Sequence, residues 1–155
     1  MCGFIGMVRN VPQALKQEDI EKFKQQNNII DHRGPDDEGY FHDDYISFGF
    51  RRLSIIDIEC GQQPFSYDDD NYWMIFNGEV YNYVELRKPL VEKGYIFDTE
   101  SDTEVIIAMF KEYGTEAFKQ LRGMFALLIW DKQEEVLYGV RDPFGIKPMY
   151  YSETN

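Results

Sequence analysis

Cys2 follows Met1 at the start of the sequence, and loss of that methionine would leave a thiol and a free α-amino group on one residue. Nucleophile and base would then be the same amino acid. An α-amine has a reference pKa of about 7.7–8.0, so near neutral pH a useful fraction is unprotonated and takes the thiol proton directly or through water. No histidine partner is required, and cysteine is a better nucleophile than the threonine of comparable N-terminal pairs. A chain that keeps Met1 has an acylated Cys2 nitrogen, which is no base, and is expected to be inert. Judged singly, Cys2 also fits the commoner case of an unreactive thiol.

Splitting an amide requires donors for the oxyanion as well as a nucleophile. Asn77 and Gly78, at the end of a predicted strand, offer a side-chain amide beside a glycine N–H. Taken alone, the Asn-Gly pair is more often just the closing turn of a hairpin. An amino-acid substrate further needs a cation for its α-carboxylate and an anion for its α-ammonium. Arg52 could supply a bidentate guanidinium and Asp102 the anion. Their plainer alternatives are an arginine at a strand end and a carboxylate favouring a helix N-terminus. Cys60 reads as a loop thiol, since nothing beside it suggests an activating turn. His32 and His42 have no cysteine at ligand spacing, and the Asp68-Asp-Asp70-Asn71 run lacks the glycine and distal glutamate of an EF-hand. No metal is therefore expected, and the acidic run reads as a solvated loop. The P-loop string and the G-x-S-x-G nucleophile elbow are both absent.

A chain of 155 residues must position these groups, and its 43% hydrophobic share suffices for one core. With no repeat or linker to divide it, a single domain over 1–155 is expected. Sixteen Lys+Arg against 28 Asp+Glu leave a net charge of −12, which disfavours nucleic acid as a partner. The longest apolar stretches, such as 124–130, fall far short of the roughly 20 residues of a membrane helix. The first residues lack the basic segment and long apolar run of a signal peptide. A soluble, cytoplasmic protein is expected, in which two cysteines make no disulfide framework.

Residues 4–8 pattern as a strand, whereas Ile20, Phe23, Asn27 and Ile30 recur at helical spacing and predict a helix over 17–30. A polar loop over 31–39 follows. Strands are expected at 39–42, 45–51 and 73–76, with an acidic, turn-rich loop over 59–71. Pro89 interrupts a helical candidate at 83–93, so a kink or a late start is expected there. Ser101 and Glu104 have the spacing of a capping box ahead of Val105, Ile106, Met109, Phe110 and Tyr113, which share a helical face. Segments 124–130 and 136–140 flank a polar turn, and the first is apolar on both sides, as in a sheet covered on both faces. Together these elements predict a layered α+β sandwich.

Several strings occur in order: Met-Cys-Gly-Phe-Ile-Gly (1–6), His-Arg-Gly-Pro-Asp (32–36), Arg-Arg-Leu-Ser-Ile-Ile-Asp (51–57) and Asn-Gly-Glu-Val-Tyr-Asn (77–82). Ser-Asp-Thr-Glu-Val (101–105), Arg-Gly-Met-Phe-Ala (122–126), Ile-Trp-Asp (129–131) and Arg-Asp-Pro-Phe-Gly-Ile-Lys-Pro-Met-Tyr-Tyr (141–151) complete the series. The chain thereby resembles the glutaminase domain of the class II, N-terminal-nucleophile glutamine amidotransferases, and most of all the glutamine-hydrolysing asparagine synthetases. The resemblance runs from Cys2 to Tyr151. It implies a four-layer αββα sandwich of the N-terminal-nucleophile hydrolase type, with L-glutamine as substrate. By the same resemblance Cys2 attacks the side-chain amide, Asn77 and Gly78 hold the oxyanion, and Arg52 with backbone at Ile55 and Ile56 grips the α-carboxylate. Glu79 with Asp102 receives the α-ammonium, and Arg33 braces the loop around Cys2. No cofactor is implied for this half. ATP and Mg belong to a synthetase domain, whose Ser-Gly-Gly-x-Asp-Ser loop does not follow Tyr151, so these residues alone are not expected to complete asparagine synthesis.

Phe50 stands where these synthetases often have a histidine, and Val140 where alanine is common. The resemblance also admits a homodimer. Two other readings remain open: a glutaminase serving another acceptor, and a noncatalytic glutamine-binding or docking module that keeps Met1.

Overall fold

Alternation along a strand sends neighbouring residues to opposite faces, and in this chain the two faces bury against different layers. The computed structural model describes residues 2–53 and 62–153. Strands β1 (Gly3–Val8), β2 (Asp37–His42) and β3 (Ile46–Arg52) form one antiparallel sheet in the order β1-β3-β2. Strands β4 (Phe65–Tyr67), β5 (Tyr72–Val80), β6 (Gly123–Asp131) and β7 (Val136–Arg141) form a second, in sequential order. Helix α1 (Gln17–Asn28) covers the outer face of the first sheet, and α2 (Tyr83–Glu92) and α3 (Asp102–Tyr113) cover that of the second. This is the four-layer αββα sandwich that the resemblance implied.

The layer between the sheets is apolar. Ile46, Phe48 and Phe50 of β3 meet Ile75 of β5 and Trp130 of β6, with Phe4, Phe41, Trp73 and Leu128 packed around them. Phe41 stacks on Trp73 with ring centroids 3.8 Å apart. Phe50 is thus a core side chain rather than a polar one. On the far side of the second sheet Met74, Phe76, Val80, Leu127 and Ile129 pack on Ile106, Ile107 and Phe110 of α3. The α1 layer is polar by contrast: Asn27 Nδ2 donates to Tyr40 Oη at 3.1 Å, and Arg51 pairs with Glu38 at 2.8 Å.

Four local expectations change. Helix α3 is buried on nearly every side from Thr103 to Phe110, because its second face takes Leu90 of α2 and Ala117; it is not a one-faced helix. Ser101 Oγ does cap it, accepting from Thr103 N at 3.1 Å. Glu104 does not complete the capping box, since its carboxylate accepts from Asp98 N (3.0 Å), Thr99 N (2.7 Å) and Thr99 Oγ1 (2.6 Å) instead. Helix α2 begins at Tyr83 and carries Pro89 in its interior, so the proline does not delay its start. Strand β4 lies inside the expected loop, too short for its alternation to register. Among the described residues no helix is long and apolar enough to cross a membrane.

Candidate active site

Two contacts set the level of one sheet against the other. Trp130 Nε1 of β6 donates to Asp43 Oδ2 at 2.7 Å, with the Tyr45 ring 6.0 Å from the Trp130 ring. The β2–β3 connection therefore sits over the Trp73–Trp130 pair of β5 and β6. Further along, Gly6 faces Leu128, close enough that a Cβ there would lie 2.5 Å from Leu128 Cδ1. From that level the first sheet runs toward Cys2 and Arg52, and the second toward Asn77 and Glu79. Alternation turns Cys2 and Arg52 to the same side as Phe4 and Phe50, and Asn77 and Glu79 to the same side as Ile75. All four residues accordingly gather at one rim of the inter-sheet layer.

Cys2 lies immediately ahead of β1, half-buried, with Sγ 3.9 Å from the Leu53 carbonyl oxygen. The Arg33 stem packs beside it, since a Cβ on Gly3 would meet Arg33 Cβ at 3.0 Å. Next in sequence, Gly34 presses on the end of β3, where a Cβ would come 2.4 Å from the Arg51 carbonyl. Pro35 bridges Arg52, and Asp36 N donates to the Arg52 carbonyl at 3.0 Å. The His-Arg-Gly-Pro-Asp segment is thus a plug that holds the Cys2 end of β1 against the Arg52 end of β3. Arg52 is only 9% exposed.

Asn77 and Gly78 lie inside β5, paired with Ala126 and Phe125 of β6. They close no turn: the strand expected to end at 76 continues to Val80. Glycine is required at 78 by close approach, because a Cβ would lie 2.1 Å from the Met124 carbonyl oxygen and 2.6 Å from Phe125 Cα. Asn77 is 6% exposed. Asp102 opens α3, and its Oδ2 accepts from Val80 N at 2.9 Å, which brings it beside Glu79. Burial pushes the Asp102 carboxyl above its usual range and the Glu79 charge adds to this, against the N–H donors of Val80 and Thr103. A buried carboxyl beside a second carboxylate favours a cation placed next to it.

Ile55, Ile56 and Cys60, like Met1, lie outside the described residues. The histidines are elsewhere. His42 packs against Phe23 and Tyr40 under α1, where burial, then Arg9 and Lys24, lower its pKa. His32 is exposed. Asp68 pairs with Lys111 at 2.5 Å, and among the described residues no cluster of His, Cys, Asp and Glu could hold a metal ion.

Three residues next to the rim escaped sequence reasoning. Gly123 admits the Glu79 carbonyl oxygen, which a Cβ would meet at 2.0 Å. Asp142, 3% exposed, accepts from the backbone N–H groups of Phe125, Phe144, Ile146 and Lys147 at 3.0–3.2 Å. It thereby ties the Arg-Asp-Pro-Phe-Gly turn to the residue that opposes Gly78. Gln63 brackets Phe76, with Oε1 2.6 Å from its N and Nε2 3.0 Å from its O. A long amide before a proline, at the edge of a strand, was the only signal available for it.

A thiol, an amide with an adjoining backbone N–H, a guanidinium and two carboxylates at one rim have the chemistry to hold a zwitterionic amino acid and attack a side-chain carbonyl. A family model described as a glutamine amidotransferase domain matches residues 1–155. Glutamine-hydrolyzing asparagine synthetase 1 of Bacillus subtilis (strain 168) is 59% identical over 155 residues, covering 100% of this chain and 24% of that protein. Asparagine synthetase 2 of the same organism is 41% identical, covering 99% of the chain and 20% of the protein. Among solved structures, glutamine phosphoribosylpyrophosphate amidotransferase from B. subtilis aligns with a TM-score of 0.55 at 26% identity, covering 68% of this chain and 25% of that one. The chain spans about a quarter of the length of the curated relatives it matches.

Proposed function

We propose, since this chain belongs to the glutamine amidotransferase domain family, that it hydrolyses L-glutamine to L-glutamate and ammonia and supplies the ammonia to ATP-dependent synthesis of asparagine from aspartate. The convergence of Cys2, Arg52, Asn77, Gly78, Glu79 and Asp102 on one rim of the inter-sheet layer carries this reading. With Met1 removed, the Cys2 α-amine takes the thiol proton and Sγ attacks the side-chain carbonyl carbon of glutamine. The carbonyl oxygen gains the negative charge and is held by Asn77 Nδ2 and the Gly78 N–H. The ammonium of Cys2 then protonates the departing nitrogen, the C–N bond breaks, and ammonia leaves a γ-glutamyl thioester. Water, deprotonated by the same amine, splits the thioester into glutamate and the free thiol.

Substrate orientation falls to the charged groups. Arg52 pairs with the α-carboxylate, with backbone at Ile55 and Ile56 beside it, and Glu79 with Asp102 takes the α-ammonium. Arg33 supports the Cys2 end of β1 from the side. This half needs no cofactor; ATP and Mg serve the activation of aspartate in a synthetase domain, and the setting is the cytoplasm. Identity to two asparagine synthetases favours that acceptor over a sugar phosphate.

A Met1-free sample tests this. It should release glutamate from glutamine and take up one equivalent of a glutamine-mimicking electrophile on Cys2, read by mass spectrometry, and Cys2→Ala should lose both. Binding of glutamine without glutamate release or adduct by the trimmed chain would leave only the docking-module reading.

A further inference from the structure

Nucleophile and oxyanion donors belong to different sheets, Cys2 to the first and Asn77–Gly78 to the second. Their separation is therefore an inter-sheet spacing, and the layer that sets it is built of Phe, Ile and Trp side chains. Apolar packing is nondirectional. At the end of the layer remote from the rim, the Trp130–Asp43 hydrogen bond spans the two sheets and fixes them there. Gln63 does the corresponding work near the rim.

The register of β4 on β5 pairs Phe65 with Met74 and Ser66 with Trp73. Continued by two residues, it sets position 63 opposite Phe76. The Gln63 main chain turns away toward the first sheet, and its side chain takes over the ladder: Oε1 accepts from Phe76 N at 2.6 Å and Nε2 donates to Phe76 O at 3.0 Å. The Gln63 backbone meanwhile lies on the first sheet, where a Cβ on Gly39 of β2 would fall 1.8 Å from the Gln63 carbonyl oxygen. Gly39 pairs with Phe50, two residues before Arg52. Gln63 thus touches β2 through its main chain and grips β5 through its amide at the residue just before Asn77.

We propose that Gln63 is a positioning residue, whose side-chain amide holds β5 at the inter-sheet spacing at which the Asn77 and Gly78 donors meet the carbonyl attacked by Cys2. This rests on the amidotransferase reading above. The amide touches no substrate atom. It acts on the rate of thioester formation and leaves the Arg52, Glu79 and Asp102 contacts that bind glutamine in place. Misplacement by about 1 Å at a reacting centre costs about a hundredfold in rate, so a slip of a few tenths of an ångström costs about tenfold.

The test compares Gln63→Met, which keeps the length and removes both bonds, with Trp130→Phe, which removes the polar tie at the far end. Glutamate release gives kcat and KM, and urea unfolding gives the stability of each variant. Gln63→Met should lose about tenfold or more in kcat with KM for glutamine little changed, while Trp130→Phe loses stability and keeps kcat. Should Gln63→Met not fold, Gln63→Glu replaces it; that variant keeps an acceptor for Phe76 N, loses the donor to Phe76 O, and should show the same split. An unchanged kcat in the Gln63 variant, or an equal fall in kcat for Trp130→Phe, overturns the proposal. A Met1-free wild type that forms no thioester overturns the amidotransferase reading itself and this one with it, which separates the two failures.

Discussion

Replacing Gly78 with alanine adds one methyl group where β5 and β6 approach closely. An ideal Cβ there lies 2.1 Å from the Met124 carbonyl oxygen, 2.6 Å from Phe125 Cα and 2.9 Å from Phe125 Cβ. Carbon and carbonyl oxygen settle at about 3.3 Å in sheets, so the two strands must part by about 1.2 Å. Two of the three obstacles are main-chain atoms, and no side-chain rotation relieves them. Phe125 cannot retreat freely either, because its N–H and carbonyl are both bonded to Asp142. The displacement therefore falls on β5, which carries the Asn77 amide and the residue-78 N–H. Overpacking of this kind costs about 1–3 kcal/mol of stability, and a shift of about 1 Å at the proposed oxyanion site should cost about a hundredfold in kcat. Glutamate release by Met1-free protein measures the second quantity and urea unfolding the first. Gly114→Ala is the control: its φ of 57° lies in the left-handed region but nothing stands within 4 Å of an added Cβ. That variant should lose about 1–2 kcal/mol and keep its kcat. A Gly78→Ala protein with wild-type kcat and wild-type stability would refute both the close approach and the role given to this strand.

Asp102→Asn keeps an acceptor for Val80 N but removes a charge, and should raise KM for glutamine by about 10- to 100-fold, with kcat less affected. The Asp102 pKa is raised, first by burial and then by Glu79, so its proton persists above the ordinary carboxylate range. Wild-type KM should therefore climb as pH falls into that window, and folding stability should decline as pH rises through it; the asparagine variant should show neither trend. Asp142 has the opposite sign. Burial works to raise its pKa, but the N–H groups of Ile146, Lys147, Phe125 and Phe144 outweigh it and hold the carboxyl low. Its contribution is complete above the unfolded value of about 3.9 and is lost as pH falls through the depressed folded value. Asp142→Asn should cost about 2 kcal/mol at neutral pH and flatten the acid limb of a urea-unfolding series.

Local pattern located the strands well because alternation is a property of neighbouring residues. β1, β3, β6 and β7 fall within a residue or two of their expected limits, and Ser101 caps α3 as its type requires. Where the pattern misled, a longer-range partner had outbid a local one. Asn77-Gly78 has turn chemistry, yet pairing with Ala126 and Phe125 stretches it into the middle of a strand. Glu104 has capping-box spacing, yet its carboxylate is taken by the N–H groups of Asp98 and Thr99, farther back along the chain. Gln63 carried no recognisable motif, since a glutamine that replaces a missing strand bond is defined by the strand it meets.

Residue types alone offer groups with the chemistry of an amide-splitting site: a thiol one residue behind Met1, an amide beside a glycine, a guanidinium and paired carboxylates. Ordered strings extend that to a family. Nothing in the one-dimensional order says that Cys2 and Asn77, seventy-five positions apart, share a rim. Two sheets stacked through the Phe48, Ile75 and Trp130 layer bring them there, because a reactive geometry is a distance between elements, and such distances are set by contacts across the core and at its edges rather than by anything encoded within a strand.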